Sequence, residues 1–553
     1  MLIVVVVPVV LAAVSGSLSI PHNDAWSYSR IAQEYGRTGE IRLLGWNRSA
    51  LVGQIVVLGP LGASITVQHV FVALLAAVAV LACYDLLAAA LGRLRAAFAA
   101  LVLAVWPELG LLATSFMSDV PALAAALGCL ALGRRALAGS SLPLLAASLA
   151  VGLWGTTVRE QVLAAPAAVL LTALSQGMTR ARSAQDLTGA RSAQGLRWAR
   201  SDTGGDGRRP LRWGRRWAVV GLGVLFTAGF VGFEWWRRSL AGDDPPVPRP
   251  GGPVLPDVLD VTVRGYFLLA LAVAPAVLAV ARPWRWGGLA WLAAAGTGAV
   301  AVLGWHDYRW GFLMSDYLLA GGPYPAVFRG EREMFGDPVF QVLALLAAAS
   351  GVLLAGLIVR RGRRLAPLLR WFLLLTVAGL LATRAAGQAV FGRYLIVGVP
   401  VLLFVVLSGR QQQQGARSGK MRRIGPVVGV VAGGFLAVLS LAVTAYGSAL
   451  DAARWHVAER LVAAGVPATD IDAGFEWSGY HSPDGVRWAQ AGAPRVNWYA
   501  NKFADNRPCF VLASSARTEP DWRLLRTETY REYLLTGSAR IWVYETGLCR
   551  PSP

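Results

Sequence analysis

The sequence predicts a polytopic, all-α membrane protein of about 13 transmembrane helices, each run being near the ~20 residues a bilayer requires. A small extracytoplasmic α/β domain is expected to follow them. Three observations carry this prediction. Long apolar runs repeat along most of the chain; of its 553 residues 55% are hydrophobic, with a mean hydropathy of +0.49. Only 15% are charged, against roughly a quarter in a soluble domain. The basic residues, finally, collect in the short polar segments between alternate runs.

The first run is Met1–Ile20. It lacks a basic leading segment, so it reads as the first span rather than a cleaved signal. Further runs centre near residues 75, 103, 128, 150, 169, 226, 271, 295, 349, 376, 402 and 435. With the N-terminus in the cytoplasm, the inner loops hold Arg93 and Arg95, Arg134 and Arg135, the stretch Arg180–Arg216, Arg282 and Arg285, Arg360–Arg370 and Arg410–Arg423. The outer loops are then close to charge-balanced. The opposite orientation reverses the bias that cytoplasmic loops usually carry. The formal charge of +20 is explained this way, and no nucleic-acid partner is implied.

The transmembrane domain is expected over 1–446. Within it, 178–216 is a basic cytoplasmic loop expected to be disordered, with a near-repeat in Ala181–Trp198; Gln411–Gln414 is a second low-complexity run. The basic loop can touch anionic lipid, although plain topology bias explains it as well. A soluble outer domain is expected over 447–553. There Asp451–Ala464 has helical periodicity, while Cys509–Ser514 and Arg540–Glu545 read as strands. Cys83 and Cys129 sit in apolar runs as inert helix residues. Cys509 and Cys549 can form a disulfide if this segment is extracytoplasmic. No Cys/His spacing resembles a zinc site, so no metal ligand is assigned.

Four stretches carry chemistry. The first outer loop, Pro21-His-Asn-Asp-Ala-Trp-Ser-Tyr, puts Asp24 just past the first run. Tyr28, Ile31, Ala32 and Tyr35 follow at helical spacing, as in an interfacial amphipathic helix. Asp24 reads first as the N-cap of that helix. It reads second as a partly desolvated carboxylate, which is a stronger base. Asp119, in Thr114-Ser-Phe-Met-Ser-Asp-Val-Pro121, has the same two readings. Arg393 and Tyr394 stand where an outer loop enters a late run; an arginine there either snorkels or grips a phosphate. Arg159-Glu160 is a charge pair between two apolar runs, where charge is costly.

An apolar span, an outer loop with Asn23-Asp24, then Ser-Phe-Met-Ser-Asp-Val-Pro, then Arg-Tyr-Leu entering a late span: this pattern resembles the GT-C glycosyltransferase superfamily, over roughly residues 1–410. Within it, the chain is most similar to the protein O-mannosyltransferase and lipid A aminoarabinose transferase branch. The stretch from Ile471 to Tyr480 also resembles the tail domain of bacterial members. The resemblance implies an inverting transfer from a polyprenyl-phosphate sugar to a protein, lipid or glycan hydroxyl, on the outer face of the cytoplasmic membrane. Carried over, Asp24 is the catalytic base and Asp119 the second acidic residue, which would orient the acceptor, the donor sugar or a metal. Arg393, with Tyr394 and Arg159, binds the donor phosphate. The family often has a second acid beside its catalytic Asp; here Ala25 stands there. The outer loop Trp305–Asp337, with His306, Asp307, Tyr308, Asp316 and Tyr317, falls where the family has a mobile substrate loop. No cofactor is certain, and a divalent metal is possible because metal dependence varies in the superfamily.

Rival functions with the same topology are an oligosaccharide polymerase or ligase, a lipid-linked-sugar flippase, and a structural scaffold of the cell envelope. A flippase predicts charges buried mid-span and paired repeats, and the sequence has neither.

Overall fold

The computed structural model of the chain describes residues 2–44, 52–175, 213–240, 254–307, 318, 334, 337–409, 421–487, 499, 502–532 and 538–549. Helices dominate. In order they are α1 (Leu2–Ser15), α2 (Ala25–Thr38), α3 (Gly53–Leu58), α4 (Ile65–Leu91), α5 (Arg93–Ala104), α6 (Pro107–Leu112), α7 (Asp119–Gly139), α8 (Leu142–Val158) and α9 (Glu160–Ser175). Then come α10 (Trp213–Arg238), α11 (Val254–Ala272), α12 (Ala274–Val280), α13 (Gly288–Asp307), α14 (Asp337–Arg361), α15 (Pro367–Ala385), α16 (Val399–Leu407), α17 (Met421–Ala463) and α18 (Phe475–His481).

Among the described residues six helices are long and apolar enough to cross a membrane: α4, α7, α10, α14, α15 and α17. A seventh candidate is the pair α11 and α12, bent by 68° where Pro275 opens the second member. The chain is therefore a multi-pass membrane protein; the described residues hold six such helices, or seven with the bent pair, where the sequence predicts about 13. Several of the expected spans are apolar helices of 10–17 residues. The first is one of these, α1, with Pro8 inside it.

Small residues set the packing of α7, α8 and α9 along their length. A Cβ on Gly155 of α8 would lie 2.6 Å from Ala125 of α7 and 2.6 Å from Val162 of α9. A Cβ on Gly133 would lie 2.5 Å from Val169. Glycine at these points lets three helix backbones approach, which is how membrane helices gain contact without a hydrophobic driving force. The approach brings the start of α7 next to the α8–α9 junction.

The division expected at 446/447 falls inside α17, which is 43 residues long. At ~1.5 Å per residue it reaches about 65 Å, twice the membrane core, so its second half stands clear and carries the C-terminal segment. That half contains the helix expected at Asp451–Ala464. The C-terminal sheet has β1 (Ile471–Asp472), β2 (Phe510–Ala513), β3 (Arg523–Arg531) and β4 (Ser538–Glu545) in the order β1-β2-β4-β3. The first pair is parallel and the others antiparallel. The two expected strands are β2 and β4. Patterning passes over β3, which is nearly all exposed and rich in arginine. Cys509 and Cys549 are disulfide-bonded, with their Cα atoms 4.5 Å apart; Cys83 and Cys129 are free and buried. The expected loop over 178–216 lies outside the described residues up to Arg212.

Candidate functional site

Asp24 is set by the turn between α1 and α2. Asn23 takes a left-handed conformation, with φ 49°, which asparagine tolerates better than most side chains. Asp24 sits at the N-cap position, yet its side chain makes no capping hydrogen bond. It faces the loop before α16 instead, where Arg393 Nη2 lies 3.5 Å from Asp24 Oδ2. The carboxylate keeps some access to solvent, with 17% of the side chain exposed, while Arg393 keeps 5%.

Asp119 is the first residue of α7 and is almost fully buried, while Ser118 holds the N-cap position without a side-chain capping hydrogen bond. A carboxylate in the first turn also complements the helix dipole. Its Oδ1 lies 2.6 Å from Arg159 Nη1 and 3.6 Å from Arg393 Nε. The Oδ2 atom is buried and has no hydrogen-bond partner among the described residues. Arg159, in the extended link between α8 and α9, also donates to Ser118 Oγ at 3.1 Å. Its guanidinium lies 4.1 Å from the Tyr394 ring centroid. Arg393 lies 4.4 Å from the Phe391 ring and 5.4 Å from that of Tyr394. Both arginines therefore rest on aromatic faces, which orients them and lowers the cost of their burial.

Two carboxylates and two guanidiniums thus alternate: Asp24, Arg393, Asp119, Arg159. Burial opposes the charge of Arg159, but Asp119 and then Tyr394 outweigh it and hold the group protonated. Tyr28, buried on the first turn of α2, points at the same cluster. Burial raises its phenol pKa; Arg159 works against that shift and Asp119 and Asp24 add to it. The phenol stays protonated and able to donate. A narrow crevice of about 30 Å³ opens over Asp119, Arg159, Arg393 and Tyr394, walled by Leu123 and Val397.

The C-terminal segment clamps α2 on both sides of Asp24. His22 Nδ1 lies 2.9 Å from Asp451 Oδ2 on α17. Trp26 is fully buried, edge-on to Phe475 and Phe503 at 6.2 and 5.9 Å. Its indole lies so close to α18 that a Cβ on Gly479 would come within 2.3 Å of it. Arg30 Nη1 donates to the carbonyls of Gly479 and Ser482, at 3.2 and 2.5 Å, and the Tyr480 hydroxyl donates to Gln33 at 2.8 Å. Behind the clamp, Arg454 is buried among Glu476, Tyr499, Asp472 and Asp451. Tyr499 donates to Asp472 at 2.6 Å, and burial, reinforced by Asp472, pushes its pKa well up.

Of the residues singled out from sequence, the structure gathers Asp24, Asp119, Arg159, Arg393 and Tyr394. Glu160, next to Arg159, is exposed and outside the cluster. His306 and Asp307 end α13, and their side chains fall outside the described residues, as do Tyr308, Asp316 and Tyr317. Patterning does not flag Ser118, Phe391 or Trp26; each is an ordinary residue type whose role depends on contacts far away in sequence. The described residues contain no group of three or more His, Cys, Asp or Glu placed to hold a metal ion.

No family model and no curated protein matches the chain. Three solved structures do, at low identity. ArnT from Cupriavidus metallidurans bound to undecaprenyl phosphate is 12% identical with a TM-score of 0.45, over 99% of this chain and 98% of that one. The same protein in the apo state is 15% identical with a TM-score of 0.40, over the same shares. The apo oligosaccharyltransferase of Archaeoglobus fulgidus is 12% identical with a TM-score of 0.31, over 82% of this chain and 57% of that chain.

Proposed function

We propose that the chain is a GT-C-type glycosyltransferase that moves a sugar from a polyprenyl phosphate to an acceptor hydroxyl, with inversion, at the outer face of the cytoplasmic membrane. The observation that carries the reading is the alternation of Asp24, Arg393, Asp119 and Arg159 beneath one crevice. The reaction needs a base that reaches solvent and a fixed positive charge opposite it, and the two are distinct here. Asp24 is the more accessible carboxylate. It takes the acceptor's hydroxyl proton as that oxygen attacks the anomeric carbon. The bond from that carbon to the phosphate oxygen breaks on the opposite face, and the electron pair leaves with the phosphate. Arg159 and Arg393 stabilise the charge that develops there, and being already oriented they need little reorganisation.

Asp119 holds the two guanidiniums in register and takes no proton. Tyr28 and Ser118 are neutral donors at the edge of the same site. The polyprenyl chain lies along the apolar wall of Leu123 and Val397. The orientation follows from the basic bias of the loops at the other end of the bundle, which puts Asp24 and the C-terminal domain outside. A disulfide in that domain suits an oxidising compartment.

The test is transfer by membranes carrying the protein, given a panel of labelled polyprenyl-phosphate sugars. With a donor that is accepted, Asp24→Asn is expected to lower kcat about 10²–10⁴-fold with the protein still folded. Full activity in well-folded Asp24→Asn overturns the base assignment. Activity with a nucleotide sugar but with no polyprenyl-phosphate sugar overturns the donor assignment.

A further inference from the structure

The end of the bundle opposite Asp24 holds a second, larger cavity of about 760 Å³. Six arginines line it: Arg95 of α5, Arg282 and Arg285 of the turn after α12, Arg360 and Arg361 of α14, and Arg364 just beyond. Among the described residues, no Asp or Glu lines it. Two of the six have partners: Arg95 donates to the carbonyls of Leu407 and Gly409, at 3.2 and 2.9 Å, and Arg361 donates to the carbonyl of Val406. These carbonyls end α16, so both cations are used as helix caps. The side chains of Arg282, Arg285, Arg360 and Arg364 have no hydrogen bond or ion pair with any described residue. The charges that act on Arg361 are Arg360, Arg364, Arg95 and Arg282. Arg285, Arg360 and Arg364 reach solvent and Arg282 is half-buried. Segments distant in sequence nonetheless bring all four round one space, and their mutual repulsion favours an anion there.

A second observation says what kind of anion. An apolar groove of about 500 Å³ runs between α1, α5 and α17, walled by residues such as Pro8, Leu11, Leu101 and Gly434. It shares Phe98 and Val430 with the arginine cavity. Leu101 and Val430 are 50% and 68% exposed, so the groove opens sideways to the bilayer, whose common phosphate-bearing chains are glycerophospholipids.

We propose that cavity and groove together bind one anionic glycerophospholipid, its phosphate among the arginines and an acyl chain in the groove. The site is independent of the transfer reaction and on the other side of the membrane from it.

The test uses full-length protein, stripped of lipid in detergent and then offered phosphatidylglycerol, phosphatidylcholine, polyprenyl phosphate or inorganic phosphate, with retention read by native mass spectrometry. Phosphatidylglycerol is expected to be held at least about tenfold better than phosphatidylcholine, given the attraction each basic residue adds. The variant Arg282→Gln/Arg285→Gln/Arg360→Gln/Arg364→Gln should lose that preference; if it does not fold, the pair Arg360→Gln/Arg364→Gln should lose most of it. Gly434→Phe tests the groove, because a Cβ there meets nothing within 4 Å. It should weaken long-chain phosphatidylglycerol several-fold and leave a dihexanoyl analogue unaffected. A preference that survives the arginine substitutions overturns the site. So does an arginine effect with no effect of Gly434→Phe, which is the signature of a diffuse basic belt. Tighter retention of polyprenyl phosphate or of inorganic phosphate than of phosphatidylglycerol overturns the choice of lipid.

Discussion

The two ends of the bundle use arginine in opposite ways. At one end Arg393 is buried and Arg159 half-buried, both stacked on aromatic rings and interleaved with Asp24 and Asp119. At the other, Arg282, Arg285, Arg360 and Arg364 line a cavity with no carboxylate among its described lining residues. The difference is one of compensation. Buried guanidiniums persist only where fixed carboxylates offset their desolvation, and that fixes them in place before any ligand arrives. Uncompensated ones persist only near water or near a ligand that brings the opposite charge. The balanced end suits chemistry; the unbalanced end suits adhesion.

The sharpest way to break this comparison is to remove the compensation. Asp119→Asn leaves two buried guanidiniums short of a counter-charge and should destabilise the protein by about 3–5 kcal/mol, the range for breaking one partner of a buried pair. Thermal unfolding in detergent measures it. Adding Arg159→Gln should restore a large part of the stability, since the orphaned charge goes with it, without restoring transfer. If Asp119→Asn melts like the unmodified protein, the balance is not structural.

Next in size is the arginine shared by both acids. Arg393→Met is expected to lower kcat about 10²–10³-fold, as removal of a preorganised electrostatic group does, while Arg393→Lys recovers part of it. Lysine keeps the charge but lacks the fork that reaches Asp24 and Asp119 together. Steady-state kinetics with an accepted donor decides the point, and equal activity of the Lys and Arg forms would remove geometry from the argument.

The balanced end also depends on a neighbour that sequence does not announce. Gly479→Ala puts a methyl group into the Trp26 indole, 2.3 Å away before relaxation. The overpacking cost is about 1–3 kcal/mol. Because Trp26 is two residues from Asp24, kcat should fall more than the loss of stability alone explains; a displacement of about 1 Å costs up to 10²-fold. A fall in stability with unchanged kcat would limit the C-terminal segment to a structural role.

What sequence made legible follows from range. Apolar runs and basic loops are local, so the membrane class and the acidic stretches could be read directly. Asp24, Asp119, Arg159 and Arg393 stand out because a charge at the edge of an apolar run is rare. Their meeting is not local. It depends on Gly155 and Gly133 letting α7, α8 and α9 close up, and glycine in an apolar run has no distinctive signature. The span count is less legible for a related reason: composition registers an apolar run whether its helix continues for 27 residues, as in α4, or for 17, as in α8. The clamp of His22, Trp26 and Arg30 was hidden because its partners lie more than 400 positions away. The cap reading of Asp24 was half right: the residue occupies the N-cap position, but its side chain is turned to Arg393.

The smallest predicted effect separates the two ends most cleanly. Arg282→Gln removes a cation that no described residue partners and that adds to the positive charge around Arg361. A surface substitution away from any specific contact usually stays within about ±0.5 kcal/mol, and relief of like-charge repulsion tips this one toward stabilisation. In detergent at low ionic strength, without anionic lipid, the variant should therefore melt at the same temperature as the unmodified protein or slightly above it. Raising the salt should shrink the difference, because screening weakens exposed charges more than buried ones. A clear loss of stability would mean that this arginine is compensated as those near Asp24 are. The contrast between the ends would then reduce to depth of burial, and charge balance would no longer distinguish them.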